Sequence, residues 1–163
     1  MDSQRRMPGV VSGRAVAESG EAMKVLYHGG APGFRVGDVI QPHDTKLRDD
    51  CAICQAHADD SHRPDRVFAT PVRIYAKHYA SKYGFGSVYI VEAVGELERS
   101  EADSIETYHA PALTVTKVSE TYVALNMSER RRLYRLWGDA DDARGWKPNT
   151  IDLRIKRFIG MRV

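Results

Sequence analysis

Long hydrophobic runs, a strong excess of one charge and a set of cysteines are all missing from this sequence. No run in the 163 residues approaches the roughly 18 apolar residues of a membrane-spanning helix, so we expect no contact with membranes. The 24 Lys and Arg residues nearly balance the 22 Asp and Glu residues, leaving a formal charge of +2. The overall charge therefore does not predict binding to nucleic acid or to an anionic membrane surface.

Two cysteines are too few for a disulfide framework and favour a reducing, cytoplasmic setting. Hydrophobic residues make up 42% and charged residues 28%, which is typical of a globular protein with one core. We expect a monomer in which residues 1–23 are a disordered leader and 24–142 form the domain. Residues 143–163 would be a C-terminal tail or an edge strand.

The apolar periodicity predicts a mixed α+β domain, mostly strands with two or three helices. Strands are expected at the start of 24–33, at 66–70, at 87–94, on either side of Pro111 within 105–119, and at 121–125. One helix is expected over 71–82. Another is expected over 130–137, with Asn126 or Ser128 as its N-cap and with Leu133, Leu136 and Trp137 buried.

Histidine 28 stands at the end of the strand in KVLYHGGAPG and is followed at once by Gly29 and Gly30. Glycine lets a ligand approach the main chain closely, so this stretch favours a binding cleft. The alternative is a surface histidine before an ordinary turn.

Three tyrosines, Tyr75, Tyr79 and Tyr83, recur every four positions in and just after the first expected helix. That spacing puts them on one helical face. For Tyr75 and Tyr83 the simpler interpretation is core packing with the hydroxyl groups at the rim.

A polar loop carries four potential metal ligands in the pattern C-x2-C-x2-H-x4-H: Cys51, Cys54, His57 and His62. Thiolates and imidazoles suit tetrahedral zinc, and a bound ion would order a loop that has little to pack on. Ordinary thiols in a solvated loop, or a redox pair, remain open alternatives.

Three stretches, YHGG (27–30), RVFATPVRIYAKHYAS (66–81) and SIETY (104–108), together resemble the ADP-ribosyltransferase fold of the diphtheria toxin and poly(ADP-ribose) polymerase branch. In that branch a histidine, two tyrosines eleven positions apart and a late glutamate surround NAD. His28 and Glu106 match the histidine and glutamate; Phe68 and Tyr79 keep the spacing, with phenylalanine replacing the first tyrosine. The stretch VYIVEAVGELE is similar to the rifamycin-modifying ADP-ribosyltransferases.

The resemblance implies a split β-sheet core and an enzyme that cleaves NAD and transfers ADP-ribose to an unidentified acceptor. It implies that Glu106 stabilises the developing ribose cation, with Asp103 in the preceding acidic loop as the reserve. His28 would hold the adenosine-side ribose. Nicotinamide would stack on aromatic rings, and main-chain groups at the glycines would meet the carboxamide or pyrophosphate. The cofactor-binding set is His28, Gly29, Gly30, Phe68, Tyr75 and Tyr79.

Two other functions remain open. An RNA 2′-phosphotransferase would share the fold and also use NAD, but the cleft region offers only Arg66 and Arg73 to grip a phosphate. The other is a noncatalytic module with zinc in the loop, whose basic C-terminal segment binds nucleic acid unless it is merely a solvated edge strand. That segment carries Arg154, Lys156, Arg157 and Arg162.

Overall fold

The computed structural model describes residues 23–42 and 65–146. The candidate zinc ligands Cys51, Cys54, His57 and His62 lie outside the described residues, as do residues 1–22 of the expected leader and residues 147–163 of the expected tail. In the described ranges no helix is long and apolar enough to cross a membrane.

The first sheet has four antiparallel strands in the order β1-β4-β7-β2. These strands are β1 (Leu26–Gly30), β2 (Val39–Ile40), β4 (Ser87–Val94) and β7 (Ala112–Glu120). Strand β4 is rich in β-branched and aromatic residues, which pack well on a pleated surface. In the order given above, β1 lies at one edge of this sheet.

The second sheet has the order β3-β6-β5 and consists of β3 (Val67–Ala69), β5 (Glu98–Arg99) and β6 (Tyr108–Ala110). An antiparallel bridge between Tyr27 and Thr70 connects it to the edge of the first sheet. The two curled sheets enclose a core that contains Val67 and Ala110 on one side and Tyr89 and Leu113 on the other.

Two helices flank the sheets in the described ranges, α1 (Arg73–Ser81) and α2 (Met127–Arg144). Helix α2 begins with a capping box: the Asn126 side chain accepts from the Glu129 N–H, and the Glu129 carboxylate accepts from the Asn126 N–H. It ends at Gly145, whose left-handed backbone suits glycine. A second core, which includes Tyr75 and Leu133, lies between the two helices.

The α+β class is confirmed, and β4 spans the residues predicted for it. The strand predicted over 121–125 is wrong, because Tyr122 adopts a positive φ of 54° and turns the chain towards α2. Burial of Leu136 is also wrong. Leu133 is fully buried and Trp137 packs on the same core, whereas Leu136 lies on the exposed side of the helix.

Candidate functional site

The two sheets separate next to Gly29. Tyr27 and Thr70 exchange both main-chain hydrogen bonds across the bridge, at 2.8 and 2.9 Å. If the antiparallel pairing continued, the next hydrogen-bonded pair would be Gly29 and Phe68. The Phe68 carbonyl instead binds the His28 side chain, 2.7 Å from Nδ1. By the alternation of the strand, the N–H and C=O of Gly29 point away from β4 into this separation.

Helix α1 packs directly on Gly29. A Cβ atom at this position would lie 1.7 Å from the Ala76 carbonyl oxygen and 3.0 Å from the Ala80 nitrogen. Only glycine fits this close approach. Its use here brings α1 against the strand edge at the point where the sheets separate.

The neighbouring His28 has a defined tautomer. Because the Phe68 carbonyl can only accept, Nδ1 carries the proton and donates, which leaves Nε2 as an acceptor in the neutral ring. Burial lowers the pKa of His28 and outweighs the opposing effect of this hydrogen bond, so the ring is neutral near pH 7. Nε2 lies beside Gly30, where an added Cβ would be 2.7 Å away.

The candidate residues divide between the two faces of the sheet. His28 lies directly opposite Tyr89, so both side chains are on the face of the inter-sheet core. Gly29 lies on the other face, beneath α1. Phe68 is on this face as well. Thr70 lies opposite Tyr27 across the bridge, so their side chains share a face, and Phe68 is two residues before Thr70. Phe68 and the α1 tyrosines therefore lie on one face and His28 on the other.

Helix α1 presents a chain of hydroxyl groups that ends on a carboxylate. The Tyr79 and Tyr75 hydroxyl oxygens are 3.0 Å apart, and the Tyr75 hydroxyl donates to Asp103 Oδ1 at 2.9 Å. Ser100 donates to the other oxygen, Oδ2, at 3.0 Å. Burial, with the Asp103 charge, raises the pKa of Tyr79 to about 12 and that of Tyr75 further, so both stay protonated at neutral pH.

Only part of the tyrosine pattern is core. Tyr75 is buried between the helices, as the packing interpretation predicts, whereas Tyr83 lies beyond the end of α1 and is exposed. Tyr79 is 38% exposed, and Lys82 Nζ lies 4.7 Å from the centre of its ring. Tyr79 is therefore the more exposed of the two tyrosines of α1, although Lys82, Tyr75 and His78 contact its ring.

Glu106 lies in a different set of contacts. Its Oε1 accepts hydrogen bonds from Lys24 Nζ at 2.8 Å and from the Tyr108 hydroxyl at 2.7 Å, and these two bonds lower its pKa. Its main-chain carbonyl accepts from the Thr70 hydroxyl at 2.6 Å. In the described ranges no hydrogen bond or ring contact joins Glu106 to His28, Phe68 or Tyr79.

Thr70 is a positioning residue that the sequence reasoning missed. Its main chain pairs with Tyr27, its hydroxyl donates to the Glu106 carbonyl, and the same oxygen accepts from the Val72 N–H at the start of α1. One residue thus ties β1, the acidic loop and α1 together. The sequence signal that could have identified it is the position of Thr70 directly before Pro71, at the start of a predicted helix.

The two arginines considered for phosphate binding are engaged by carboxylates. Arg73 pairs with Glu120 at 2.7 Å, and Arg66 lies 3.4 Å from Glu98 and 3.8 Å from Asp65. These pairs reduce the positive charge that either arginine offers to a phosphate.

Within residues 23–42 and 65–146 there is no group of three or more His, Cys, Asp or Glu side chains that could hold a metal ion. Comparison of the chain with protein-family models, curated proteins and solved structures finds no match. The residues of the chain and their geometry are therefore the basis for inferring its function.

Proposed function

We propose that the protein is an NAD-dependent ADP-ribosyltransferase, which cleaves the nicotinamide–ribose bond and transfers ADP-ribose to an acceptor. The observation that carries this proposal is the separation of β1 from β3 at Gly29. It leaves the main-chain donor and acceptor of Gly29 facing away from β4, and each neighbouring element carries an aromatic residue, Phe68 on β3 and Tyr79 on α1.

The nicotinamide end of NAD fits this arrangement chemically. Its carboxamide carries one donor and one acceptor group, which match the C=O and N–H of Gly29 in the manner of an added strand. Its ring is a flat cation that stacks on aromatic faces, with a cation–π contribution of about 0.5–2 kcal/mol. Lys82 Nζ lies 4.7 Å from the centre of the Tyr79 ring, so its ammonium group would have to move aside for nicotinamide to stack on that face.

His28 would contribute by orientation. Its Nε2 is a hydrogen-bond acceptor in the neutral ring and can receive a hydrogen bond from a ribose hydroxyl. The Phe68 carbonyl holds the ring in place through Nδ1, so little orientational freedom is lost when the sugar binds. Since His28 and Gly29 lie on opposite faces of β1, a bound dinucleotide would have to bend around this strand edge.

Cleavage of the bond builds positive charge on the ribose, and a fixed carboxylate stabilises that charge. Two carboxylates are candidates. Glu106 is partly neutralised by Lys24, whereas Asp103 receives only neutral hydroxyl donors and is linked through Tyr75 to Tyr79. The hydroxyl network favours Asp103, and the resemblance favours Glu106.

Release of free nicotinamide from NAD tests the function and separates the two acids. We expect turnover by the wild-type chain. The two variants are Asp103→Asn and Glu106→Gln. The one that removes the catalytic carboxylate should lower turnover by roughly tenfold or more, while its Kd for NAD changes little. The exposed Glu92→Gln on β4 is the matched control and should have no effect. Absence of nicotinamide release by the wild-type protein would contradict the proposal, and normal turnover in both variants would remove both acids from it.

The RNA 2′-phosphotransferase is the weaker alternative, because Arg66 and Arg73 are both paired with carboxylates. Release of nicotinamide that requires a 2′-phosphorylated RNA would nevertheless establish it.

A further inference from the structure

The hydroxyl chain between α1 and the acidic loop passes through a fully buried side chain. Tyr75 is 1% exposed and lies in the middle of this chain, hydrogen-bonded to Tyr79 on one side and to Asp103 on the other. Both of these neighbours are partly exposed residues. A buried hydroxyl group therefore connects two residues that reach the surface of the protein.

Asp103 fixes the direction of the hydrogen bonds along this chain. Its carboxylate accepts from the Tyr75 hydroxyl at 2.9 Å and from the Ser100 hydroxyl at 3.0 Å. A phenol has one proton, so Tyr75 uses it on Asp103 and must accept from Tyr79, 3.0 Å away. The Tyr79 hydroxyl has then used its own proton. Towards a ligand it can accept a hydrogen bond but cannot donate one.

The loop that carries this carboxylate is held by other contacts as well. The Ser100 N–H donates to the Thr107 carbonyl at 2.9 Å, which joins the two ends of the loop. Arg144, the last residue of α2, donates to the Glu101 carbonyl at 3.0 Å. The hydroxyl chain therefore ends on an acid whose position does not depend on that chain alone.

Packing alone does not require hydroxyl groups at both tyrosine positions, because phenylalanine would fill the same space and would need no polar partner. Each phenol of the chain can both donate and accept. A proton received at Tyr79 can therefore be delivered at Asp103 by exchange along the two hydrogen bonds. Because Asp103 is partly exposed, solvent can then remove that proton.

We propose that Tyr79, Tyr75 and Asp103 form a relay that removes the proton of the nucleophile attacking the ribose of NAD. This inference rests on the proposed function. The nucleophile forms a bond to the ribose carbon as the bond to nicotinamide breaks, and the bonding electron pair leaves with the nicotinamide nitrogen. The proton of the nucleophile passes to Tyr79, the Tyr79 proton to Tyr75, and the Tyr75 proton to Asp103.

The relay gives the two candidate acids separate tasks and defines the class of acceptor. Asp103 receives the proton, which leaves Glu106 as the acid that stabilises the ribose cation. The nucleophilic atom must carry a hydrogen, as in water, an alcohol or an amine, because the Tyr79 oxygen can only accept. A carboxylate or phosphate acceptor has no such proton to transfer at neutral pH.

Azide tests the relay, because this anion can attack a sugar carbon without having a proton to lose. With water as the nucleophile, Tyr75→Phe, Tyr79→Phe and Asp103→Asn should each release nicotinamide roughly tenfold or more slowly than wild type. Azide should raise the turnover of these three variants by about tenfold or more and give the azide of ADP-ribose as product. Glu106→Gln should remain slow with azide, since its loss concerns the cation.

Tyr83→Phe is the matched control, because it removes the third phenol of the same four-residue repeat without interrupting the chain. It should turn over like wild type, and Tyr79→Phe should keep the wild-type Kd for NAD because its ring remains. Wild-type rates in Tyr75→Phe and Tyr79→Phe, or slow variants that azide does not accelerate, would overturn the relay and leave the proposed function intact. Absence of nicotinamide release by the wild-type protein would overturn both.

Discussion

At the scale of single residues, neighbouring positions of β1 have opposite tasks. Gly29 has no side chain and lets α1 touch the strand, while His28 has its ring fixed by the Phe68 carbonyl on the other face. Adjacent residues can meet these two needs, a missing side chain on one face and a fixed ring on the other, because successive residues of a strand face opposite sides. The site proposed for NAD depends on both.

Substitution of Gly29 should be costly. An added methyl group would lie 1.7 Å from the Ala76 carbonyl oxygen, and helix backbone cannot move aside cheaply. We expect Gly29→Ala to lower the free energy of unfolding in urea by about 3 kcal/mol or more, the upper end for overpacking.

The control for that substitution is Gly145→Ala at the end of α2. Nothing lies within 4 Å of a Cβ there, and only the positive φ of 69° opposes it, so a loss of about 1 kcal/mol is expected. Equal losses at the two positions would show that close approach is not what requires glycine at position 29.

At the scale of elements, α1 organises the site because it contacts β1, β4 and α2. Its buried Lys77 pairs with Glu120 at the end of β7, at 3.1 Å, and with Glu129 in the first turn of α2. Burial alone would lower the pKa of Lys77, but its hydrogen bonds to the two carboxylates raise it overall. This charge fixes the position of α1 relative to both neighbours.

Removal of the Lys77 charge should therefore loosen α1. We expect Lys77→Met to lose roughly 1–3 kcal/mol at pH 7, less than for a fully buried pair because both carboxylates stay partly exposed. Glu120 also keeps its contact with Arg73. Urea unfolding of the double variant Lys77→Met/Glu129→Gln should show a loss smaller than the sum of the single losses, because the second change removes the unpaired acid. Strict additivity would mean that the pair does not act as a unit.

The pH dependence of this pair follows from the same contacts. The folded pKa of Lys77 is raised, so its contribution is complete below pH 10.5 and is lost as pH rises above that value. Hydrogen bonding to Lys77 lowers the pKa of Glu129, so the contribution of Glu129 is lost as pH falls below about 4.5. Measurements at pH 7 thus record the full effect of both charges.

At the scale of the whole molecule, local chemistry made some elements predictable and others not. The β-branched run of β4 and the Asn126 cap of α2 are local signals, and both were readable. The prediction of a strand over 121–125 is wrong because the apolar residues there alternate as in a strand, whereas the positive φ of Tyr122 turns the chain. No local pattern could have shown the bridge that joins the two sheets, since it pairs residues 43 positions apart, Tyr27 and Thr70.

The candidate site, too, was predictable only in part. The residue types around it could be proposed from short motifs, but their partners could not. Asp103 is linked to Tyr75 and Glu106 to Lys24 by hydrogen bonds across 28 and 82 positions of the chain. Which acid faces a ribose is a property of the folded chain and of the ligand together.

The most direct test of the NAD site is a crystal structure of the protein with an NAD analogue whose nicotinamide–ribose linkage cannot be cleaved. We predict that the carboxamide lies about 3 Å from the Gly29 nitrogen and oxygen, with its ring between Phe68 and Tyr79. A dinucleotide bound elsewhere on the molecule, with the edge of β1 unoccupied, would contradict the proposal.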